Sequence, residues 1–230
     1  MTILSCNRSL AAFLLSLLMA PAPPSSATDS PFVPPRVLNA TDIRFPVNTM
    51  APGIVTLLLR LDSAAKIQNV QVLREVPSLT SAAQTAIPSW TFAPASWNGH
   101  PVAARLSISV VFNPFNPGGV SIEGLKVRLP PTPPAAEDSG FNPPQITSGQ
   151  FAIYPVNSIA SGTVILDVRI DKSGRVRKAH VIRGVPSLTT QSIKAVKSWE
   201  FRAATYKDQP VASHMVVAFV FPSPAIANPV

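Results

Sequence analysis

The chain contains two copies of one long unit. Residues 34–112 align with residues 143–221 without a gap, so Trp199 follows Trp90 by 109 residues. The shared segments are Pro34-Pro35 and Pro143-Pro144, Phe45-Pro46-Val47-Asn48 and Tyr154-Pro155-Val156-Asn157, Val76-Pro77-Ser78-Leu79-Thr80 and Val185-Pro186-Ser187-Leu188-Thr189, and Trp90 and Phe92 with Trp199 and Phe201. Solenoid repeats have periods of roughly 20–50 residues, whereas a unit of this length has the size of a small domain. The sequence therefore predicts two tandem domains.

The first half of each unit predicts two antiparallel strands. Apolar and polar residues alternate over Gly162–Asp171, which predicts a strand with one buried face. Asp171–Gly174 predicts a turn whose glycine takes a positive φ, and the equivalent turn ends at Ala65, so it must differ or be strained. The apolar positions of the next strand slip by one residue in both copies, which predicts a β-bulge. These positions are Val176, Ala179 and Val181, and Ile67, Val70 and Val72.

The second half of each unit predicts a helix and a last strand. Pro186-Ser187-Leu188 opens the helix with Ser187 as the N-cap, and Pro88 ends or kinks the helix of the first copy. The buried helix face comprises Leu188, Ser192, Ala195, Val196 and Trp199, and Leu79, Ala83, Ala86, Ile87 and Trp90. Alternating strands then run to Phe112 and Phe221. The fold class is therefore α+β, with two tandem domains that each pack one main helix on a three-stranded antiparallel sheet (strand, bulged strand, helix, strand).

The N-terminus predicts export. Residues 1–27 combine a polar start, an apolar run over 10–20 and small residues before a cut after Ala27, the pattern of a secretory signal peptide. The alternative is an uncleaved membrane anchor, although a spanning helix needs about 20 apolar residues. We expect a periplasmic or cell-envelope protein, or an inner-membrane-anchored one if the run is retained.

Two further segments lie outside the copies. Residues 113–142 predict a Pro/Gly-rich linker that acts as a semi-rigid spacer, with one short strand at Val120–Leu129. Residues 222–230 form a tail.

The chemistry of the chain argues against an enzyme. The only cysteine, Cys6, lies within the predicted signal, so the mature chain would hold no disulfide, reactive thiol or cysteine-bound metal. No paired carboxylates, histidines at ligand spacing, phosphate-cradling loop or nucleophile motif occurs. Asp62 and Asp171 precede turns, where aspartate commonly closes the turn, and Trp90 and Trp199 are expected as core anchors. We expect no catalysis, no cofactor and no metal.

The net charge of +8 raises the question of an anionic partner. Export excludes nucleic acid and leaves envelope polymers and lipid head groups. The candidate anionic-polymer site of the second copy consists of Lys172, Arg175, Arg177 and Lys178. The alternative is a solvated hairpin that these residues keep soluble.

The spaced motifs resemble the C-terminal domain of TonB, the periplasmic protein that transmits energy to outer-membrane receptors. The second copy carries Tyr154-Pro155, Gly-Thr-Val-x-Leu-x-Val-x-Ile-Asp over 162–171, Gly174-x-Val176, Ala195-Val196-x-x-Trp199-x-Phe201, Pro210-Val211 and Phe221. The first keeps Phe45-Pro46, Gly53 and Trp90-Thr91-Phe92-Ala93-Pro94-Ala95. TonB-like transducers carry a histidine in an uncleaved anchor and a long proline-rich span, and the apolar run here has no histidine and only a short Pro/Ser patch after it.

The resemblance implies binding through a sheet edge. In the family the last strand pairs with a short N-terminal peptide of outer-membrane transporters, and such strand addition uses main-chain hydrogen bonds. By position the partner-binding edge comprises Val211, Ala212, Ser213, His214, Met215, Val216 and Val217, and Val102, Ala103, Ala104, Arg105 and Leu106. The alternative is that the other copy or the linker strand caps these edges.

Three functions remain open at this point. The first is an exported, non-enzymatic module that binds outer-membrane TonB-dependent transporters or other periplasmic proteins by strand addition, with self-association also open. The second is a module that binds peptidoglycan or another anionic polymer of the envelope. The third is a membrane-anchored energy transducer, which requires the apolar run over 10–20 to be retained.

Overall fold

The computed structural model describes residues 32–47, 49, 51–114, 126–130, 141–155 and 158–223. The predicted signal peptide, the tail beyond residue 223 and most of the linker lie outside these residues. Within them, no helix is long and apolar enough to cross a bilayer.

The elements of the first copy follow the predicted order. They are β1 (Phe32–Val33), β2 (Arg36–Asn39), β3 (Gly53–Leu61), β4 (Ile67–Arg74), α1 (Thr80–Ala86), a 3-10 helix (Ile87–Ser89), β5 (Thr91–Ala93), β6 (Ala95–Trp97), β7 (His100–Val102) and β8 (Ala104–Phe112). The linker contributes β9 (Lys126–Arg128), which pairs with β11 of the second copy. The strand expected at Val120–Leu129 is thus present over its last residues, and 120–125 lie outside the described residues.

The second copy repeats this order, and in the structure each copy begins two residues earlier than the aligned unit, at Phe32 and Phe141. Its elements are β10 (Phe141–Asn142), β11 (Gln145–Gln150), β12 (Gly162–Ile170), β13 (Val176–Arg183), α2 (Thr189–Lys197), β14 (Glu200–Arg202), β15 (Ala204–Tyr206), β16 (Gln209–Val211) and β17 (Ser213–Phe221). The α+β class and the duplication are therefore confirmed.

The two copies share one central sheet of six strands, in the order β13-β12-β17-β8-β3-β4. Within each copy the pairing is antiparallel, whereas β8 and β17 run parallel from Ile108↔Val216 to Phe112↔Val220. We call this parallel pairing of 108–112 with 216–220 the seam. The prediction of two separate three-stranded sheets is wrong in this respect, because the last strand of each copy pairs with its counterpart.

The seam explains why the two helices lie on opposite faces of the sheet. Equivalent strands that run parallel side by side are related by a half-turn about an axis along the strands, which reverses the face of the second copy. The core around α1 therefore includes Ile165, Val216, Ala218 and Val220 of the second copy. The core around α2 includes Ile54 and Val111 of the first copy. The central strands are buried on both faces over most of their length, so the prediction of one exposed face fails there. It holds only near the turns, where Arg60 and Arg169 are exposed.

The predicted bulge is present in both outer strands. Gln68 of β4 and Arg177 of β13 are the extra residues at equivalent positions. A second register shift follows at Leu73 and Ile182, which the sequence pattern did not predict. In the preceding turns, Gly174 has a φ of 80° and Ala65 has a φ of 62°, so the turn that lost its glycine is strained, as expected.

The helices show one correct and one wrong prediction. The residues of the predicted helix face are buried, with Ala86 only partly so, and α1 ends before Pro88. The N-cap prediction is wrong, because Ser187 has a φ of 67° and α2 begins at Thr189. The Thr189 hydroxyl instead accepts a hydrogen bond from the Val185 N–H and donates one to the Val185 carbonyl, both at 2.9 Å.

Candidate functional site

The other copy occupies part of the predicted partner-binding edge. Val102 and Val211 lie in the hairpin strands β7 and β16, and Val216 and Val217 lie inside the seam. The expectation of an open edge is wrong where the seam pairs 108–112 with 216–220, because there the other copy supplies the strand that a partner would add. Ser213, His214 and Met215, and Ala104, Arg105 and Leu106, lie in the last strands but precede the seam. Within the seam, the alternative that the other copy caps these edges is the one observed. The complete predicted edge comprises Val211, Ala212, Ser213, His214, Met215, Val216 and Val217, and Val102, Ala103, Ala104, Arg105 and Leu106.

The seam leaves β4 and β13 as the outer strands of the central sheet, each with one neighbour among its described strands. Between its two bulges, each outer strand keeps four consecutive regularly paired residues. On β4 these are residues 69–72, and on β13 they are residues 178–181. The far side of such a strand offers main-chain donors and acceptors to an added strand, whereas bulges and charged side chains limit non-specific pairing.

Two arginines hold the ends of these outer strands. Arg183 of β13 donates to the Ala40 carbonyl at 3.0 Å and to Asp42 Oδ2 at 2.6 Å. The equivalent Arg74 of β4 donates to the Pro130 carbonyl at 2.7 Å, and burial lowers the pKa of its guanidinium. An added strand would therefore meet open backbone before these arginines rather than at them.

The two outer strands differ in charge. β13 carries the exposed side chains of Arg177, Lys178 and His180, whereas β4 carries neutral Gln68 and Asn69 at the positions of the first two. Within the open stretches, the edge of the second copy therefore carries the cation Lys178, and that of the first is polar but uncharged.

The basic turn of the second copy is built around Asp171. Asp171 Oδ1 accepts hydrogen bonds from the Ser173 hydroxyl at 2.6 Å and from the Arg175 N–H at 3.0 Å. Arg177 Nε donates to Asp171 Oδ2 at 2.6 Å. These bonds, the Ser173 hydroxyl first, hold the pKa of Asp171 far below its usual range. The predicted turn role of this aspartate is confirmed.

The first copy builds the same turn without the cation. Asp62 accepts hydrogen bonds from the Lys66 and Ala64 N–H groups, both at 2.9 Å, and from Gln68 Nε2 at 2.7 Å. The backbone bond from Lys66 is the main cause of a lowered pKa of Asp62. In both copies the bulge turns the extra residue, Gln68 or Arg177, towards the turn aspartate.

The predicted anionic-polymer residues thus lie close together on the β12–β13 hairpin. Lys172, Arg175, Arg177 and Lys178 are all exposed. The charge of Arg177 is engaged by Asp171, whereas no ion pair within the described residues engages Lys172 or Arg175. Their binding role stays a prediction.

Comparison with protein families decides the identity of this architecture. The family model of the Gram-negative bacterial TonB protein C-terminal domain matches residues 50–114 and again residues 156–222, which together are more than half of the chain. The chain belongs to this family. It is a TonB-like protein with a tandem C-terminal domain, associated with envelope transport, in a family of non-enzymatic interaction and transducer domains. Domains of the TonB family interact with outer-membrane transporters. No curated protein and no solved structure matches the chain.

The TonB-like module contains one polar cluster that the sequence did not predict. His214 Nδ1 lies 2.9 Å from Asp167 Oδ1, and His180 lies opposite Asp167 in the β12–β13 register. These side chains, with Arg36 of β2, line a pocket of about 290 Å³ on the α1 face of the sheet. Among the described residues no group of three histidine, cysteine or carboxylate side chains is placed to bind a metal. The sequence carried no signal for this contact, because it depends on the strand register that places His214 opposite Arg169, two residues from Asp167.

Proposed function

We propose that this TonB-like module binds an extended segment of an outer-membrane transporter or another periplasmic protein by strand addition at β4 or β13. The observation that carries the proposal is the seam, because it pairs the last strands of the two copies with each other. This pairing leaves β4 and β13 as the outer strands of the central sheet. Main-chain hydrogen bonding to such an edge needs no particular side chain, so it suits a short extended peptide.

Charge supports different preferences for the two edges. The cationic edge of β13 favours an acidic extended segment, and the neutral edge of β4 favours an uncharged one. A partner that presents two extended segments would gain avidity by engaging both edges of one sheet.

Cysteine cross-linking tests the proposal. Cys6 is the only native cysteine, so a Cys6→Ser background allows one new thiol at a time. Lys178→Cys places a thiol in the open stretch of β13, and Asn69→Cys does so in β4. The probe is a synthetic peptide from the N-terminal segment of a TonB-dependent transporter, with one added cysteine, mixed with each variant under mild oxidation.

The matched control is Lys194→Cys, an exposed position on α2. We expect disulfide-linked product with Lys178→Cys or Asn69→Cys and only background with Lys194→Cys. Equal cross-linking of all three variants would refute edge-specific binding. Loss of amide protection in 108–112 and 216–220 on peptide addition would instead show that the peptide opens the seam.

The exposed cations Lys172 and Arg175 favour a second candidate function, which is binding to an anionic envelope polymer. Such binding should weaken as ionic strength rises. Co-sedimentation with purified peptidoglycan at two salt concentrations tests it, and the Lys172→Gln/Arg175→Gln variant should lose the salt-sensitive fraction.

A further inference from the structure

The parallel seam brings four loops to one end of the sheet. The hairpins β6–β7 and β15–β16 lead directly into β8 and β17, which start at the same end because they run parallel. The β3–β4 and β12–β13 turns lie at this end too, since Leu61 pairs with Ala104 and Ile170 with Ser213. We call this end the hairpin end.

Both hairpins carry an aromatic pair at the tip. Phe32 pairs with Trp97 in the first copy, and Phe141 pairs with Tyr206 at the equivalent positions of the second. Trp97 is 51% exposed and Tyr206 49% exposed. At the base of each hairpin, Ala95 and Ala204 are buried and their partners Val102 and Val211 are half-buried, so the exposed aromatic surface belongs to the tips. Two amphipathic aromatics held in solvent at equivalent positions of a duplicated fold indicate a contact surface.

The hairpin end is also cationic. Lys172 and Arg175 are exposed in its β12–β13 turn, and Lys207 extends from the second hairpin with its Nζ 5.5 Å from the Tyr206 ring centroid. The turn carboxylates there, Asp62 and Asp171, are engaged by the hydrogen bonds that close their own turns. Two exposed carboxylates also lie there, Asp208 beside Lys207 and Glu200, which forms a β-bridge with Arg175. The exposed cations of this end outnumber them, and they are Lys66, Lys172, Arg175 and Lys207.

We propose that the hairpin end docks on the surface of a bilayer that contains anionic phospholipid. Tryptophan and tyrosine favour the membrane–water interface, where the ring is half-buried and its polar atom stays hydrated. Lysine and arginine beside them attract anionic head groups. A soluble anionic polymer would need the cations but gives no reason for exposed phenylalanine and tryptophan in register. Two tips on one rigid sheet contact a flat surface together, which adds avidity.

This docking does not rest on the proposed strand addition. The open stretches of β4 and β13 lie along the sides of the sheet, whereas the tips lie at one end. Because the tips lie at one end of the strands, docking would point the strand axes away from the membrane plane. Both outer edges would stay accessible.

The full chain carries its own reporter for this contact. Trp90 and Trp199 are buried, with 4% and 3% exposure, so Trp97 is the tryptophan whose environment a surface contact changes. Vesicles of phosphatidylethanolamine and phosphatidylglycerol should shift its emission to shorter wavelength, and bromolipids in the same vesicles should quench it. Vesicles of phosphatidylcholine alone should bind weakly.

Paired variants separate the aromatic from the ionic contribution. Trp97→Ser/Tyr206→Ser should weaken sedimentation with the anionic vesicles on the order of thirty-fold. Lys172→Gln/Arg175→Gln should weaken it by about thirty-fold as well. Controls of the same type lie away from this end: Ile159→Ser removes an apolar side chain that is 88% exposed, and Arg44→Gln removes an exposed cation. Both controls should bind like the parent chain.

The proposal fails if anionic vesicles neither shift nor quench Trp97 emission at low salt. It also fails if the two control variants lose as much binding as the hairpin-end variants. Binding to a soluble polyanion that depends on Lys172 and Arg175, without vesicle binding, would assign the surface to a polymer instead. If the double aromatic variant does not fold, bromolipid quenching of the unaltered chain decides alone.

Discussion

Replacing Ile165 with alanine tests whether the two copies form one folding unit. Ile165 belongs to the second copy and is fully buried, but it packs in the core around α1 of the first copy. In an isolated three-stranded domain this position would face solvent, on the side opposite α2. The expected cost therefore differs sharply between the two arrangements.

The structure gives the size of the effect. Removing three carbons from a fully buried isoleucine costs about 2–5 kcal/mol, and we expect about 3 kcal/mol here because both faces of the sheet are packed. At an exposed position the same change stays within about 0.5 kcal/mol. Ile159→Ala is the matched control, since Ile159 is 88% exposed.

Urea unfolding measures these free energies. The unfolding free energy in water comes from linear extrapolation, with far-UV circular dichroism and tryptophan fluorescence as two probes. We expect one coincident transition for the parent chain and for Ile165→Ala, with the variant about 3 kcal/mol less stable. A cost for Ile165→Ala no larger than that of the Ile159→Ala control, or two separate transitions in the parent chain, would refute the single-unit account.

Three further predictions concern local structure. Gly174→Ala should lower the unfolding free energy by about 3 kcal/mol or more in the same assay, because the residue has a positive φ and its new Cβ would lie 1.9 Å from the Phe201 carbonyl oxygen. Asp171→Asn should make the melting temperature fall less steeply as pH is lowered below about 4, measured by circular dichroism over a series of pH values. The native pKa of Asp171 is lowered, so its stabilisation is present above the unfolded pKa of about 3.9 and is lost as pH falls further. Thr189→Val should cost about 1 kcal/mol in urea unfolding, because the Val185 N–H loses its acceptor.

The local architecture was predictable because duplication doubles every signal. A slip in apolar spacing occurs in both copies, and the structure has a bulge at both places, at Gln68 and Arg177. The helix faces were predictable for the same reason. The N-cap was not, because Ser187 is a good capping residue by type, whereas its backbone has a positive φ and the N-cap position falls on Leu188, which has no side-chain oxygen.

Alternation along one face of a strand does not predict the seam. The run from Met215 to Phe221 contains no polar residue, which is typical of a strand buried on both faces. In the first copy Ser107 and Ser109 interrupt the equivalent run and hide the signal. The hydroxyl of Ser109 lies 3.0 Å from that of Thr56, so these two groups satisfy each other inside the sheet.

The partner site depended on topology beyond one unit. A single copy ends in a strand with one neighbour, and from that unit alone the last strand is an open edge. Only the parallel pairing of Val216 with Ile108 transfers the open edges to β4 and β13. The contact between His214 and Asp167 likewise needed the cross-strand register, which the sequence pattern did not give.

Nuclear Overhauser effects across the seam test the central claim most directly. In the isotopically labelled chain, backbone protons of Ser109 and Val217 should show a cross-peak, as should those of Val111 and Phe219, since these residues are parallel neighbours. A spectrum with the cross-peaks within β3–β8 and β12–β17 but none between β8 and β17 would contradict the six-stranded sheet.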